Sequence, residues 1–411
     1  MCIYGKTLDE KRKVLRERVL DKIPAGVELD DDQLLAVIEG QIQQMQREEY
    51  LRLDEKKQLR HIVFNSIRRM DVLQDMLEDE GVTEIMVNGP DHIFIEKDGN
   101  LTETGYTFEH QGRLEDIAQQ IASSGNRIVN ETNPILDARL EDGSRVNIVV
   151  PPIAIEGPVI TIRKFPKEAM TMKRLIQMGA VTEEVEEFLQ KLVQAKYNIF
   201  VSGGTGAGKT TFLNILSNYI PHNERVITIE DSAELQIRNI DNLVRLEARN
   251  ANVEGKNEVT IRDLVKSALR MRPDRIIVGE IRDTAAIDLL TAMNTGHDGS
   301  LSTGHANSPA DMLNRLETLV LMGLDIPLAA IRQQIASGID LVVHLGRLRD
   351  KSRKVLEISE VGEVIDGKIR LHTLFEFRER GEKEGRVMGR LERTEEPLHA
   401  VEKCRRAGVT L

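Results

Sequence analysis

The sequence predicts an α/β protein: a largely parallel sheet with helices on both faces, preceded by a smaller α+β domain and a helical N-terminal extension. Three observations carry this reading. From Glu183 onward, short apolar runs alternate with helical segments; between Thr83 and Phe165 the hydrophobic period falls to two; and Thr7 to Asp79 is charged, with apolar positions at helical spacing. A chain of 411 residues exceeds one ordinary core and implies two or three domains.

Residues 1–79 form the helical extension, in which Leu34, Val37, Ile38, Ile42 and Met45 recur on one helical face. A solvated arm with only a packing role is the plainer reading of its charge runs. Residues 80–165 form the α+β domain. Glu84–Val87 and His92–Ile95 read as strands, Asp98-Gly99 and Asp142-Gly143 as turns, and Arg113–Ser123 as a helix. Residues 166–182, with Pro166, Gly179 and several Met, suit a linker. Residues 183–350 supply the α/β domain, with strands expected at Asn198–Val201, Val226–Ile229, Ile276–Val278 and Leu341–Val343. Past Asp350, strands Lys354–Val361 and Lys368–Phe377 flank Asp366-Gly367, and residues 351–411 end in a charged tail.

Composition excludes several classes. Hydrophobic residues at 40% and charged residues at 30% suit a soluble globular chain. With 56 Lys and Arg against 67 Asp and Glu, the net charge of −11 offers no chain-wide field for nucleic-acid phosphates, and direct nucleic-acid binding is not expected. Two cysteines, Cys2 and Cys404, give neither a disulfide framework nor a metal cluster. The opening residues carry no apolar signal region, and the longest apolar stretch, Val146–Ile162, is broken by Pro151, Pro152, Glu156 and Pro158. A cytoplasmic protein with only peripheral membrane contact is expected.

Gly203-Gly204-Thr205-Gly206-Ala207-Gly208-Lys209-Thr210 fits G-x-x-x-x-G-K-[ST] between a strand and a helix, followed by Thr211. Glycines let successive N–H groups converge on phosphates, and the helix N-terminus adds favourable partial charge. Lys209 is placed to reach the β- and γ-phosphates of ATP, and the Thr210 hydroxyl to bind Mg²⁺. A second strand ends in Ile229-Glu230-Asp231, and a third in Gly279-Glu280. Both deliver carboxylates to the sheet edge where ligands of open α/β folds bind. Hydrolysis needs one carboxylate to orient or deprotonate water and another near Mg²⁺. The sequence does not choose between Glu230 and Glu280 as the base. His297 and His305 lie in a Gly-rich segment, where an imidazole can donate to a γ-phosphate or relay between subunits. Arginines cluster at Arg245, Arg249, Arg270, Arg272 and Arg275, and at Arg139, Arg145 and Arg163. Some are candidates for fingers that neutralise transition-state charge. A nucleic-acid patch is the rival use, opposed by an aromatic content of 3%.

These residues resemble, in order, the Walker A, acidic, Walker B and histidine boxes of the ATPases that serve type II and type IV secretion and pilus assembly, over roughly Leu77 to Leu348. Leu269 to Arg282, Ser302 to Ser308 and Val87-Asn88-Gly89-Pro90 are similar to the CpaF-like branch, which serves tight-adherence (Flp) pili. The absence of cysteine between Cys2 and Cys404 departs from members carrying a four-cysteine module, and Asn250-Ala251-Asn252 departs from the Pro-Pro-Asn of the CpaF-like branch. The resemblance implies a RecA-like P-loop NTPase domain, Lys209, Glu230, Glu280 and His305 as catalytic residues, and Arg139, Arg145 and Arg163 reaching nucleotide. It also implies a homo-hexamer at the inner membrane with a platform protein as partner. The expected function is a Mg²⁺-ATP hydrolase powering pilus assembly or protein secretion. The rivals are a conjugation-type ATPase moving DNA or effectors, a non-hydrolysing nucleotide-dependent scaffold, and a helicase.

Overall fold

The computed structural model describes residues 7–24, 26–27, 29–97, 99–125, 127–165, 170–249 and 256–411. The chain divides into two compact units, Met1–Lys167 and Glu168–Leu411, and each is described by itself.

The first unit opens with helices α1 (Leu8–Lys22), α2 (Asp31–Glu48), α3 (Leu53–Arg68) and α4 (Leu73–Glu78). Thr7 with Glu10 and Asp30 with Gln33 form reciprocal capping boxes that satisfy the first free N–H groups of α1 and α2. The apolar face of α2 is buried at Leu34, Ile38, Ile42 and Met45 against Leu15 and Val19 of α1 and Leu59, Val63 and Phe64 of α3. The extension is therefore a bundle with its own core. It is tied to the rest of the unit by Arg113, which donates from Nε to Asp71 Oδ2 at 2.7 Å.

A sheet follows from β1 (Val82–Asn88), β2 (His92–Lys97), β3 (Asn100–Glu103), β4 (Ile135–Arg139), β5 (Arg145–Val149) and β6 (Val159–Arg163), with helix α5 (Gln111–Ser124). Its order is β3-β2-β1-β6-β5-β4, antiparallel throughout. Leu114, Ile117, Ala118 and Ile121 on one stripe of α5 are fully buried in the same core as Ile85, Val87, Ile148 and Ile160. Each such large side chain contributes roughly 1.5–3 kcal/mol of apolar burial. The turn at Asp98 lies outside the described residues.

In the second unit come α6 (Met172–Gln177), α7 (Glu183–Gln194), β7 (Ile199–Gly203), α8 (Lys209–Ser217), β8 (Arg225–Glu230), β9 (Asn242–Glu247), α9 (Ile261–Ala268) and β10 (Arg275–Val278). Then come α10 (Ala285–Asn294), β11 (Leu301–His305), α11 (Pro309–Leu321), α12 (Leu328–Gly338), β12 (Leu341–Arg347), β13 (Arg353–Ile365), β14 (Lys368–Lys383), β15 (Arg386–Arg393) and α13 (Glu402–Ala407). One sheet runs β15-β14-β13-β12-β7-β11-β10-β8-β9. The six strands from β12 to β9 are parallel and β13 to β15 are antiparallel. Alternate strand residues feed two cores. Ile199, Val201 and Ile277 face the cluster with α7 and α8, and Phe200, Ile276 and Val278 face that with α9 to α12.

Two expected boundaries shift. The segment read as a linker contains α6, whose Met172 is buried in the main core, while residues 166–169 lie outside the described residues. The strands past Asp350 are not an appendage. Val355, Ile358, Phe375 and Leu391 belong to the cluster that surrounds β7, because β13 pairs directly with β12.

Candidate active site

The parallel strands set the site, because their C-terminal ends lie on one edge. Strand β7 runs into the P-loop, and α8 begins at Lys209. Gly203 is required sterically: a Cβ there would lie 2.4 Å from the Leu345 carbonyl oxygen of β12. Gly208 caps α8 with φ +93°, a left-handed conformation that glycine adopts without penalty. Open space surrounds the Cα of Gly204 and Gly206, whereas Ala207 is buried. The result is a backbone cradle open to a ligand. Lys209 Nζ donates to the Gly204 carbonyl at 2.9 Å, and Thr210 and Thr211 follow it in the first turn of α8.

A chain of polar contacts leaves Lys209. Its Nζ lies 3.3 Å from His305 Nδ1, at the end of β11. His305 Nε2 lies 2.8 Å from Glu280 Oε1, and Arg282 Nη2 donates to Glu280 Oε2 at 2.6 Å. Arg282 Nη1 also lies 3.6 Å from Asp231 Oδ2, just past β8. Because an ammonium can only donate, His305 Nδ1 is the acceptor, so its proton sits on Nε2, the nitrogen nearer Glu280, whose Oε1 is buried and accepts no aligned hydrogen bond. Burial, with the charges of Lys209 and Arg282 adding to it and Glu280 opposing it, holds the His305 imidazole below its ordinary titration range. A neutral ring is what this relay needs.

Glu230 occupies a different environment. Its Oε2 accepts the N–H groups of Glu234 and Leu235 at 2.7 and 2.9 Å, while its Oε1 is buried without a hydrogen-bond partner. Burial pushes this carboxyl above the ordinary range, against the two N–H donors. The absence of a side chain at Gly279 admits it, since a Cβ there would meet Glu230 Cγ at 3.0 Å. An open phosphate cradle, a hydroxyl-bearing Thr210 and an orphaned carboxylate oxygen together fit a nucleotide triphosphate and its divalent ion.

In the first unit, register places Arg139 opposite Arg145 and Arg145 opposite Arg163. The three guanidinium groups thus share one rung and one face of the sheet, with Glu84 at its end, opposite Arg163.

Several expectations are corrected. His297 does not join His305. It precedes β11, so the length of that strand separates the two, and its Nδ1 contacts the Ala292 carbonyl at 3.3 Å. Arg275 is no candidate finger: it is fully buried, donates through Nε and Nη2 to Glu224, and gives Nη1 to the Val193 carbonyl. Arg270 and Arg272 precede β10 and so sit away from its C-terminal end. Arg249 donates from Nε to the Asn257 carbonyl at 2.8 Å, closing its own loop. Asn250-Ala251-Asn252 lies outside the described residues.

The structure adds residues that the sequence pattern does not reveal. Arg353, at the start of β13, donates from Nε to the Gly206 carbonyl at 2.7 Å, across 147 positions of chain. His344 of β12 places Nδ1 2.9 Å from Ser202 Oγ in the buried layer below the loop, and burial lowers its titration. Only the antiparallel pairing of β13 with β12 brings Arg353 to the loop. No local signal marks it.

Known proteins resemble this chain in sequence and in fold. The profile of a family described as Type II/IV secretion system protein matches residues 68–403. A Mycobacterium tuberculosis (strain H37Rv) protein named for conjugal transfer is 35% identical over 311 residues, covering 74% of this chain and 87% of its own length. The type IV secretion system protein VirB11 of Bartonella henselae is 31% identical, covering 71% of this chain and 92% of its own. The X-ray structure of the ATPase DotB of Yersinia pseudotuberculosis shares the fold at a TM-score of 0.51 and 19% identity, covering 72% of this chain and 79% of the other.

Proposed function

This chain belongs to the Type II/IV secretion system protein family, with a RecA-like α/β fold, and from that premise we propose that it is a Mg²⁺-dependent ATP hydrolase acting as a ring-shaped motor. One observation carries the chemistry: the connection from Lys209 through His305 to Glu280 and Arg282 at the mouth of the P-loop. Lys209 and the loop amides hold the phosphates of ATP. Bound Mg²⁺, held by Thr210, would neutralise charge on the β- and γ-phosphates.

Glu280 is the better candidate for orienting and deprotonating water. It is partly open to solvent and accepts from Arg282, whereas Glu230 is sealed in and anchored to backbone. His305 aims Glu280 and couples it to Lys209. Glu230 fixes the acidic loop at Glu234 and Leu235 and offers its remaining oxygen to the site from below. Arg353 fixes Gly206. Arg139, Arg145 and Arg163 are carried as cations for the nucleotide phosphates, on the strength of their shared rung and the family resemblance.

The cargo assigned from the CpaF-like motifs is pilin or secreted protein, moved by a homo-hexamer peripheral to the inner face of the cell membrane, with a membrane platform protein as partner. No helix among the described residues is long and apolar enough to cross a membrane. The names of the relatives favour a second reading, a conjugation-type secretion ATPase. Crosslinking in cells separates the two: a pilus platform and pilin supports the first, a relaxase or transferred DNA the second. Phosphate release tests the shared core of both readings. Folded Lys209→Ala is expected to fall to background, and parental turnover in that variant refutes the assignment; negligible turnover by the parent chain in all conditions leaves the scaffold reading in its place.

A further inference from the structure

We propose that His372, Glu396 and His399 form a binding site for a single divalent ion of the zinc class, remote in sequence from the P-loop and built into the antiparallel end of the second unit. His372 lies on β14, and Glu396 and His399 follow β15. His372 Nδ1 lies 2.5 Å from Glu396 Oε1, and His399 Nε2 lies 2.9 Å from that same oxygen. One ligand atom from each residue falls within 4.8 Å of the others. The two rings lie side by side, tilted at 49° with centroids 4.3 Å apart. Two imidazoles and a carboxylate form a donor set that suits borderline divalent ions and not Mg²⁺, which demands oxygen ligands.

The geometry is close to that of a metal site. Zinc ligands at about 2.0–2.2 Å stand roughly 3.4 Å apart at tetrahedral angles. The two contacts with Glu396 Oε1 therefore open by about 0.5–0.9 Å, within reach of a glutamate side chain that is half exposed. Each imidazole moves its proton to the other ring nitrogen, so neutral histidines release none. Three protein ligands leave the fourth position to water from the exposed side.

The frame that presents these ligands does not depend on an ion. His372 pairs in register with Glu360 of β13, which is almost fully buried. The Glu360 carboxylate in turn accepts the N–H groups of His399 at 2.8 Å and Ala400 at 2.6 Å. Glu396 N donates to Thr394 Oγ1 at 3.2 Å. Tail and strand are thus held together by the Glu360 carboxylate on tail N–H groups, and an ion would staple the tail onto the sheet and raise thermal stability by mass action.

The test uses untagged full-length protein, stripped with chelator and titrated with Zn²⁺ in excess Mg²⁺ by calorimetry. The parent is expected to take one equivalent, and His372→Ala, His399→Ala and Glu396→Gln each to bind at least about tenfold more weakly. His92→Ala, which removes a two-residue His–Glu contact elsewhere, is expected to bind as the parent does. Zn²⁺ should raise the Tm of the parent and not of the three variants. A nucleotide-induced rise in Tm confirms that each variant is folded, and Co²⁺ absorption of the parent reports tetrahedral ligation. No stoichiometric uptake by the parent, or parental uptake by all three folded variants, overturns the proposal.

Discussion

The two halves of the nine-stranded sheet are built on different physics. In the parallel half, β7, β10 and most of β8, β11 and β12 are buried on both faces, and the candidate site residues Lys209, Glu230, Glu280 and His305 gather at the C-terminal edge. In the antiparallel half, the outer strands alternate or expose their residues and carry ion pairs such as Arg349 with Glu379 and Glu382. Helices cover both faces of the first half, which is what a parallel sheet requires, while an antiparallel ribbon tolerates water on one face. The difference teaches where chemistry and tolerance divide: side chains at the parallel edge form a connected set, and the charges on the ribbon pair at the exposed surface. Arg353 is the exception that joins them, a ribbon residue bonded to the P-loop.

The contrast is sharpest at Glu280. Glu280→Gln keeps the shape and removes the base, and is expected to lower turnover by about 10²–10⁴ while nucleotide binding survives. Single-turnover phosphate release and equilibrium binding of a fluorescent nucleotide check the pair of outcomes. Loss of binding along with turnover would recast Glu280 as a structural acid.

A smaller effect follows from pH. Because the His305 titration is lowered by burial, the neutral ring persists as pH falls through the ordinary imidazole range, where the unfolded chain takes up a proton and the folded one does not. The stability this group contributes is thus full above that range and declines as pH drops through it. Below the lowered value the ring is charged, its Nδ1 no longer accepts from Lys209, and hydrolysis falls. His305→Gln is expected to be slower at neutral pH and to lose that acid limb from its rate profile. An unchanged acid limb would place the titrating group elsewhere.

Arg353→Ala tests the bridge between the halves. Removal of one hydrogen bond to the loop is expected to raise KM for ATP by about 2- to 10-fold with a smaller change in kcat. If KM stays at the parental value, the ribbon has no part in the site. The smallest effect belongs to Arg349→Ala, which cuts two exposed ion pairs and should leave both Tm and turnover at parental values. A clear drop in Tm would show that the ribbon charges also act as a set.

Local sequence carried much of this. The P-loop is legible because its spacing is itself the mechanism, and the strands at Asn198–Val201 and Ile276–Val278 because burial on both faces demands uninterrupted apolar runs. Strand β11 is harder to see. It is a central strand of Leu-Ser-Thr-Gly-His whose buried hydroxyls donate to the carbonyls of Val278 and Gly279, partners that exist only once β10 lies beside it.

By itself, then, the sequence determined the phosphate cradle, the acids at two strand ends and the alternation that makes a parallel sheet, since each depends on neighbours within a few residues. Tertiary structure alone decided that His305 and not His297 meets Lys209, that Arg275 is a buried strut, that Arg353 reaches Gly206, and that two distant histidines share one carboxylate oxygen. Those outcomes turn on strand order and register, and contacts spanning up to 147 positions leave no periodic trace in the chain they connect.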